Sequence, residues 1–198
     1  MVGTPIKFFN CPSRRPPALY PIVGQTATNF DFVPLGAKID YAVCAGDQET
    51  VQLNGTPMPP VPGLWEYTGI CYARSTIRIA EITDGTSNTL MVAEKQLCVQ
   101  NYRNGQDGGD NENLYTGFNT DTTRSTNNRR TGNNNQIRFP PRLDGRDVTV
   151  NVFGSAHPGG FNALLCDGSV RVIAYQIDEQ NYMRLGNRGD GQAMSLNF

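Results

Sequence analysis

The sequence lacks the features that mark several common classes of protein. No apolar run approaches the ~18 residues that a membrane-spanning helix requires. The formal net charge of the 198 residues is -1 at pH 7, so the chain has no long-range field that would attract nucleic acid or an anionic membrane. We therefore expect a globular domain that does not bind nucleic acid.

Compact metal-binding motifs are also absent. The chain has 5 cysteines, none of them in a CxxC pair, and 1 histidine, His157. This spacing argues against the usual Cys/His zinc sites. An exported chain would form up to two disulfides, whereas a cytosolic chain would bury five small apolar side chains. We favour at least one disulfide, without assigning its partners.

The clearest local pattern is a β-hairpin near the C-terminus. Two runs of strand-forming residues, Phe161 to Cys166 and Ser169 to Ala174, flank the dipeptide Asp167-Gly168. This dipeptide suits a two-residue type I′ turn, in which both turn positions need φ > 0. The sequence therefore predicts two antiparallel strands.

The predicted turn also sets the register of the hairpin. Counting outward pairs Ala163 with Val172 on an apolar face, and pairs Asn162 with Ile173 on a mixed face. Val172 is therefore expected to lie in the core.

His157 and Asp167 stand at opposite ends of the first hairpin strand. At ~3.3 Å per residue they lie roughly 20 Å or more apart, so they are not expected to form a catalytic dyad. We expect Asp167 and Gly168 to serve the turn, and His157 to pack or hydrogen-bond at the start of the hairpin. No motif places a Ser, a Cys or a carboxylate beside His157, so a hydrolase is not expected.

Four blocks of residues, spread over nearly the whole chain, carry a resemblance to a known family, and we call them the signature. The last block is His157, nine residues, and then Asp167-Gly168. The other signature residues are Cys11, Pro12, Ser13, Arg14, Arg15, Asp40, Tyr41, Asp84, Gly85, Ser87, Asn88, Thr89 and Glu94. In this order the blocks resemble the prepilin-like proteins of planctomycete-type bacteria, which carry a processing-associated H-X9-DG domain of unknown function.

The resemblance implies an α+β fold with a mostly antiparallel β-sheet, like the globular head of a type IV pilin or pseudopilin. It also implies export to the periplasm, the cell surface or the medium. Family members begin with a basic leader and a long apolar helix, which this sequence does not contain. We expect a truncated or naturally processed form of a protein that this helix anchors in the membrane.

The function implied by the resemblance is structural and non-enzymatic. The chain would be a subunit of a type II secretion or type IV pilus-like extracellular filament, with copies of itself or other pilin-like subunits as partners. The alternative is a cell-surface binding module that holds calcium or a glycan through its loops rich in Asn, Gly and Asp.

We expect a single domain over residues 1–198 with a long polar loop at about residues 100–146. This loop has almost no aliphatic residue between Leu114 and Ile137, so it should contribute no core. Its oxygen-bearing side chains, of the kind that Ca²⁺ prefers, are Asp107, Asp110, Asn111 and Glu112. This loop resembles the calcium loop that major pseudopilins carry near their C-terminal sheet. A calcium site and a plain solvated loop both remain open.

Two other polar motifs allow two interpretations each. Arg14 and Arg15 would either clamp an anion or bridge their loop to acidic residues of the domain. The run from Asp84 to Thr89 would either bind a cation or sugar, or satisfy backbone groups in Asx and Ser/Thr turns.

The remaining elements follow from hydrophobic patterning and from the positions of Gly and Pro. We predict strands at Ile6–Phe9, Lys38–Ala45, Thr89–Glu94 and Asp147–Phe153, a short helix near Ile79–Ile82, an exposed loop at Asn54–Pro62, and a helix capped by Asp178 that runs to Leu185.

Overall fold

The computed structural model describes residues 2–23, 31, 33–47, 67–72, 74–127 and 139–192. Within these ranges the strands are β1 (Leu19–Pro21), β2 (Leu35–Ala37), β3 (Tyr41–Cys44), β4 (Leu90–Glu94), β5 (Thr123–Arg124), β6 (Arg142–Leu143), β7 (Gly154–Ser155), β8 (Gly160–Leu165) and β9 (Val170–Ala174). The α-helix of the described residues is α1 (Glu179–Gly186), and short 3-10 helices span Lys7–Phe9, Ile79–Glu81, Thr86–Asn88 and Val99–Asn101. The fold is therefore α+β, as expected.

A five-stranded sheet with the order β5-β3-β4-β8-β9 organises the domain. Its pairs are antiparallel except β3 with β5, which run parallel. The predicted buried strand at Thr89–Glu94 is confirmed as β4, the middle strand. Two small sheets, β1-β2 and β6-β7, lie outside it.

The hairpin of β8 and β9 forms, but its predicted register is wrong by one residue. Asn162 pairs with Val172, and Phe161 pairs with Ile173. The Leu165 N–H donates to the Ser169 carbonyl at 2.9 Å, which leaves a three-residue loop instead of two. Gly168 closes this loop at φ 86°, the left-handed conformation of a type I turn followed by a bulge.

The shifted register reverses the faces of β9. Ile173 is 2% exposed, whereas Val170 and Val172 are 66% and 62% exposed. The expectation that Val172 lies in the core is therefore wrong, because a one-residue slip moves every side chain of a strand to the opposite face.

The inner face of the large sheet carries the apolar core. Phe161 stacks on Phe153 with ring centroids 6.2 Å apart and meets Tyr182 of α1 edge-on at 6.4 Å. Leu185, also on α1, is fully buried in the same cluster. The predicted cap of α1 is confirmed, because the Asp178 side chain accepts a hydrogen bond from the Asn181 N–H.

Several predicted elements differ from the structure. The short strand expected before Cys11 is the 3-10 helix Lys7–Phe9. The Val-rich run Asp147–Phe153 forms no strand beyond the isolated bridge at Phe153. In this run the alternating pattern belongs to turns, and Val152 and Phe153 enter the core singly.

The polar stretch at residues 100–146 contributes more to the interior than expected. Its described parts supply β5 and β6 and a set of buried polar residues, including Asp121, Thr123 and Arg124. Polar side chains can be buried when they form hydrogen bonds with one another and with the backbone. A lack of aliphatic residues therefore did not show that this stretch lies outside the interior.

Among the described residues, no helix combines the length and the apolar character needed to cross a membrane. The structure joins none of the five cysteines to another. The expected disulfide, which would form only in an oxidising compartment, stays a prediction. The loop predicted at Asn54–Pro62 lies outside the described residues.

Candidate functional site

The paired arginines of the signature lie inside the molecule. Arg14 Nε donates to Asp144 Oδ2 at 2.7 Å. The Arg15 guanidinium bridges two carboxylates, that of Asp40 at 2.6 Å and that of Asp110 at 2.5 Å. None of the five side chains that form these three bridges is more than 2% exposed. The interpretation that the arginines bridge their loop to acidic residues is therefore confirmed.

Asp40 fixes the N-terminal loop to the sheet. Its Oδ2 accepts a hydrogen bond from the Cys11 N–H at 2.8 Å, and its Oδ1 accepts from Arg15. Asp40 immediately precedes β3, so this carboxylate joins two of the signature blocks. The loop after Cys11 is positioned by charge-assisted hydrogen bonds rather than by regular structure.

Two buried lysines complete this network. Lys95 Nζ donates to Asp110 Oδ1 at 3.0 Å, and Lys38 Nζ donates to the Asp110 carbonyl at 2.8 Å. Burial lowers the pKa of both lysines, that of Lys38 to about 8. Burial alone would raise the pKa of Asp110, but the charges of Lys95 and Arg15 outweigh it and hold that pKa at about 2.

The four side chains proposed for calcium have separate partners. Asp110 is held by Arg15 and Lys95, and Asp107 accepts from the backbone N–H groups of Cys98 and Gly109 at 2.6 and 2.9 Å. The other two point elsewhere: Asn111 donates to the Val23 carbonyl, and the Glu112 carboxylate accepts from Thr116 and Asn119. Calcium binding here stays a prediction that these contacts do not favour.

The run from Asp84 to Thr89 forms a turn that holds the C-terminal segment. The Asp84 carboxylate accepts from the N–H groups of Asp190 and Gly191 at 2.7 and 3.0 Å. Thr89 Oγ1 donates to the Gly85 carbonyl at 3.1 Å, and Ser87 lies in the 3-10 helix Thr86–Asn88. The polar groups of this turn are used internally, as the turn interpretation predicts.

The two ends of the H-X9-DG signature have different roles. Asp167 lies in the hairpin turn, where Oδ1 accepts from the Ser169 N–H and hydroxyl at 2.8 and 2.7 Å. His157 lies before β8, at the other end of that strand. The expectation that they form no dyad is confirmed.

His157 instead contacts two signature residues that come from distant parts of the chain. Its Nε2 lies 3.7 Å from Cys11 Sγ and 3.5 Å from Glu94 Oε1. Cys11 and Glu94 are buried, and the His157 side chain is 39% exposed. No motif in the sequence placed a Cys or a carboxylate beside His157, but the fold brings both there, because a sequence motif cannot show contacts between residues 146 positions apart.

Glu94 is held in place by one oxygen only. Its Oε2 accepts from the backbone and side-chain nitrogens of Asn162 at 2.8 and 3.0 Å, whereas the buried Oε1 has no hydrogen-bond partner. An unpaired buried acceptor costs about 1–3 kcal/mol. Burial, together with this carboxylate, raises the pKa of the Cys11 thiol.

The outer face of the large sheet forms an apolar groove. We define the outer groove by its lining residues Phe8, Phe9, Tyr41, Val43, Leu164 and Val170, which belong to a cavity of about 860 Å³. Tyr41 pairs with Glu94 across β3 and β4, so the cluster of Cys11, Glu94 and His157 lies at one end of this face. The N-terminal segment Phe8–Cys11 crosses that end.

Sequence reasoning missed Asp144 as a partner of the signature. Its carboxylate accepts from Arg14, from the Leu97 N–H at 2.9 Å and from the Tyr102 hydroxyl at 2.6 Å. A lone Asp in a polar stretch carries no local signal, and only the unmatched Arg14 implied that such a partner exists.

Comparison with known proteins identifies a family but no activity. No curated protein and no solved structure matches the chain. A family model matches residues 2–180, which is most of its length. The chain therefore belongs to the family described as "Protein of unknown function (DUF1559)".

Proposed function

We propose that this chain is the globular head of a prepilin-like protein, a non-enzymatic structural subunit of an exported filament of the type II secretion or type IV pilus kind. The four signature blocks, with His157 and Asp167-Gly168 at the C-terminal end, support this assignment. The chain would be anchored before assembly by an N-terminal helix that precedes residue 1.

The outer groove is the observation that carries the proposal. A sheet that is buried on both faces is apolar on both faces, and here Tyr41, Val43 and Leu164 lie on the side opposite the core. Large exposed apolar patches on a single domain mark surfaces that another element covers. A helix with an apolar side would remove this surface from water.

The position of the N-terminal segment supports an N-terminal helix as the element that fills the groove. Phe8 and Phe9 both line the groove, and Phe8 is 86% exposed. A helix placed before this segment would reach the sheet without a long connection. The apolar helix of the prepilin-like family would thus fill the groove in the full-length chain.

Filament assembly by the full-length chain tests the proposal. Val170→Asp puts a charge into the outer groove without touching the core, since Val170 is 66% exposed. We expect it to abolish filaments in electron micrographs while leaving the melting temperature of residues 1–198 unchanged. Val172→Asp is the control, because Val172 lies on the same strand at 62% exposure but outside the groove lining. Filaments of the Val170→Asp chain equal to those of the wild type would refute the proposal.

A further inference from the structure

Cys11, Glu94 and His157 bring three different ligand atoms to one point. The Cys11 Sγ, the Glu94 Oε1 and the His157 Nε2 all lie within 4.8 Å of one another. They come from the N-terminal loop, the end of β4 and the segment before β8. Three separate parts of the chain therefore converge at one end of the outer face.

The free oxygen of Glu94 points into this cluster. Glu94 is fully buried, and Asn162 fixes its other oxygen through two hydrogen bonds. Oε1, 3.5 Å from His157 Nε2, accepts no hydrogen bond. Outer contacts of this kind orient the ligands of protein metal sites, and a bound cation would satisfy the unpaired oxygen.

Two of the three ligand separations match those around a small divalent ion. With Zn–S near 2.3 Å and Zn–N and Zn–O near 2.1 Å at tetrahedral angles, sulfur and nitrogen ligands lie about 3.6 Å apart, and nitrogen and oxygen ligands about 3.4 Å apart. The observed separations are 3.7 Å for Cys11 Sγ to His157 Nε2 and 3.5 Å for His157 Nε2 to Glu94 Oε1.

The same geometry argues against a catalytic pair in which Cys11 is the nucleophile and His157 is the base. A Cys-His-carboxylate triad uses both ring nitrogens, one facing the nucleophile and the other facing the carboxylate. Here Cys11 and Glu94 both approach Nε2. Convergence on one nitrogen is the arrangement of ligands around a shared ion.

We propose that Cys11, Glu94 and His157 form a binding site for Zn²⁺ or a closely similar divalent transition-metal ion. Sulfur and imidazole ligands select such ions over Ca²⁺ and Mg²⁺, which take oxygen ligands. Three protein ligands leave one coordination position open. The His157 side chain is 39% exposed, so the cluster is accessible from solvent. Binding replaces the thiol proton of Cys11, which leaves to solvent.

The proposed site gives Cys11, Glu94 and His157 a shared role within the signature, which neither the hairpin turn nor the buried ion pairs provide. The ion would tie the loop after Cys11 and the segment before β8 to the middle strand. This inference does not depend on the filament proposal, because the site is built from residues 11, 94 and 157 alone.

Metal binding by purified residues 1–198 tests the inference. Protein freed of metal by dialysis is titrated with Zn²⁺ by calorimetry, and separately with Co²⁺, whose thiolate charge-transfer absorption reports a bound cysteine. We expect one equivalent of Zn²⁺ and a thiolate–cobalt band. His157→Gln, at a half-exposed position, should remain folded and weaken Zn²⁺ binding at least about 100-fold, since even loss of an outer contact weakens a metal site 10- to 100-fold.

Two cysteine variants locate the ion. Cys11→Ser should lose the cobalt band, whereas Cys166→Ser, which changes a half-buried thiol at the far end of β8, should keep it. The inference is overturned if the wild-type chain binds no stoichiometric Zn²⁺. It is equally overturned if folded His157→Gln binds Zn²⁺ as tightly as the wild type, because the ion then sits elsewhere.

Discussion

Cys11 Sγ and His157 Nε2 lie 3.7 Å apart, although 146 positions separate the two residues in the chain. Both belong to the signature, and Glu94, a third signature residue, contacts the same imidazole nitrogen. Signature residues that looked independent in the sequence thus meet at one end of the large sheet. Arg14 and Arg15 follow Cys11 closely in the chain, and their buried salt bridges hold the same loop.

The hairpin register predicts opposite effects for two neighbouring residues. Ile173→Asp should place an unpaired charge in the core and destabilise the domain by at least about 3 kcal/mol. Val172→Asp should change stability little, because Val172 is 62% exposed. Urea denaturation of both variants measures the difference, and a larger loss for Val172→Asp would restore the register that the sequence suggested.

Arg15 is expected to be essential for stability. Arg15→Ala would leave the buried carboxylates of Asp40 and Asp110 without their shared partner, which should cost about 3–5 kcal/mol. Arg78→Ala is the matched control, since Arg78 forms a surface pair with Glu81 at 81% side-chain exposure and should matter little. Equal melting temperatures for the two variants would show that the internal bridges are not required.

Asp110 should make the domain sensitive to acid. Its folded pKa of about 2 lies below the ordinary value of 3.8. A depressed carboxyl pKa contributes stability that is present above pH ~4 and is lost as pH falls from ~4 to ~2, here up to about 2 kcal/mol. Unfolding free energies of wild type and Asp110→Asn, compared at pH 5 and pH 2.5, measure this. The wild type should lose more than the variant on acidification, and parallel profiles would contradict the assignment.

Calcium should not stabilise the domain if Asp110 stays with Arg15 and Lys95. A site of about 10 μM affinity in millimolar Ca²⁺ would add roughly 2.7 kcal/mol and raise the melting temperature. Metal-free protein melted with and without Ca²⁺ separates these outcomes. A clear rise that Asp107→Asn removes would establish the calcium site that the sequence suggested and would show that the loop rearranges.

Patterns in the sequence predicted those parts of the fold that depend on interactions between residues close together in the chain. The strand at β4, the Asp178 cap of α1 and the turn nature of Asp84–Thr89 all depend on residues a few positions apart. The hairpin was found, but its register was not, because Asp-Gly suits a two-residue turn as well as a three-residue loop closed by Gly168.

Long-range contacts account for most of what the sequence did not predict. Asp110 looked like a calcium ligand because its partners, Arg15 and Lys95, are remote in the chain. The alternating valines at Val148 to Val152 suggested a strand, but residues 149–152 form a turn, in which the Val152 N–H donates to the Thr149 carbonyl. The contacts among Cys11, Glu94 and His157 were missed for the same reason, since no spacing rule connects these three residues.

We propose that the outer groove receives an N-terminal helix in an exported filament. Electron cryomicroscopy of the native full-length protein would show whether it does. We expect filaments in which a helix of each subunit lies against Tyr41, Val43 and Leu164. Dispersed particles with the groove open, or filaments in which no helix contacts this face, would contradict it.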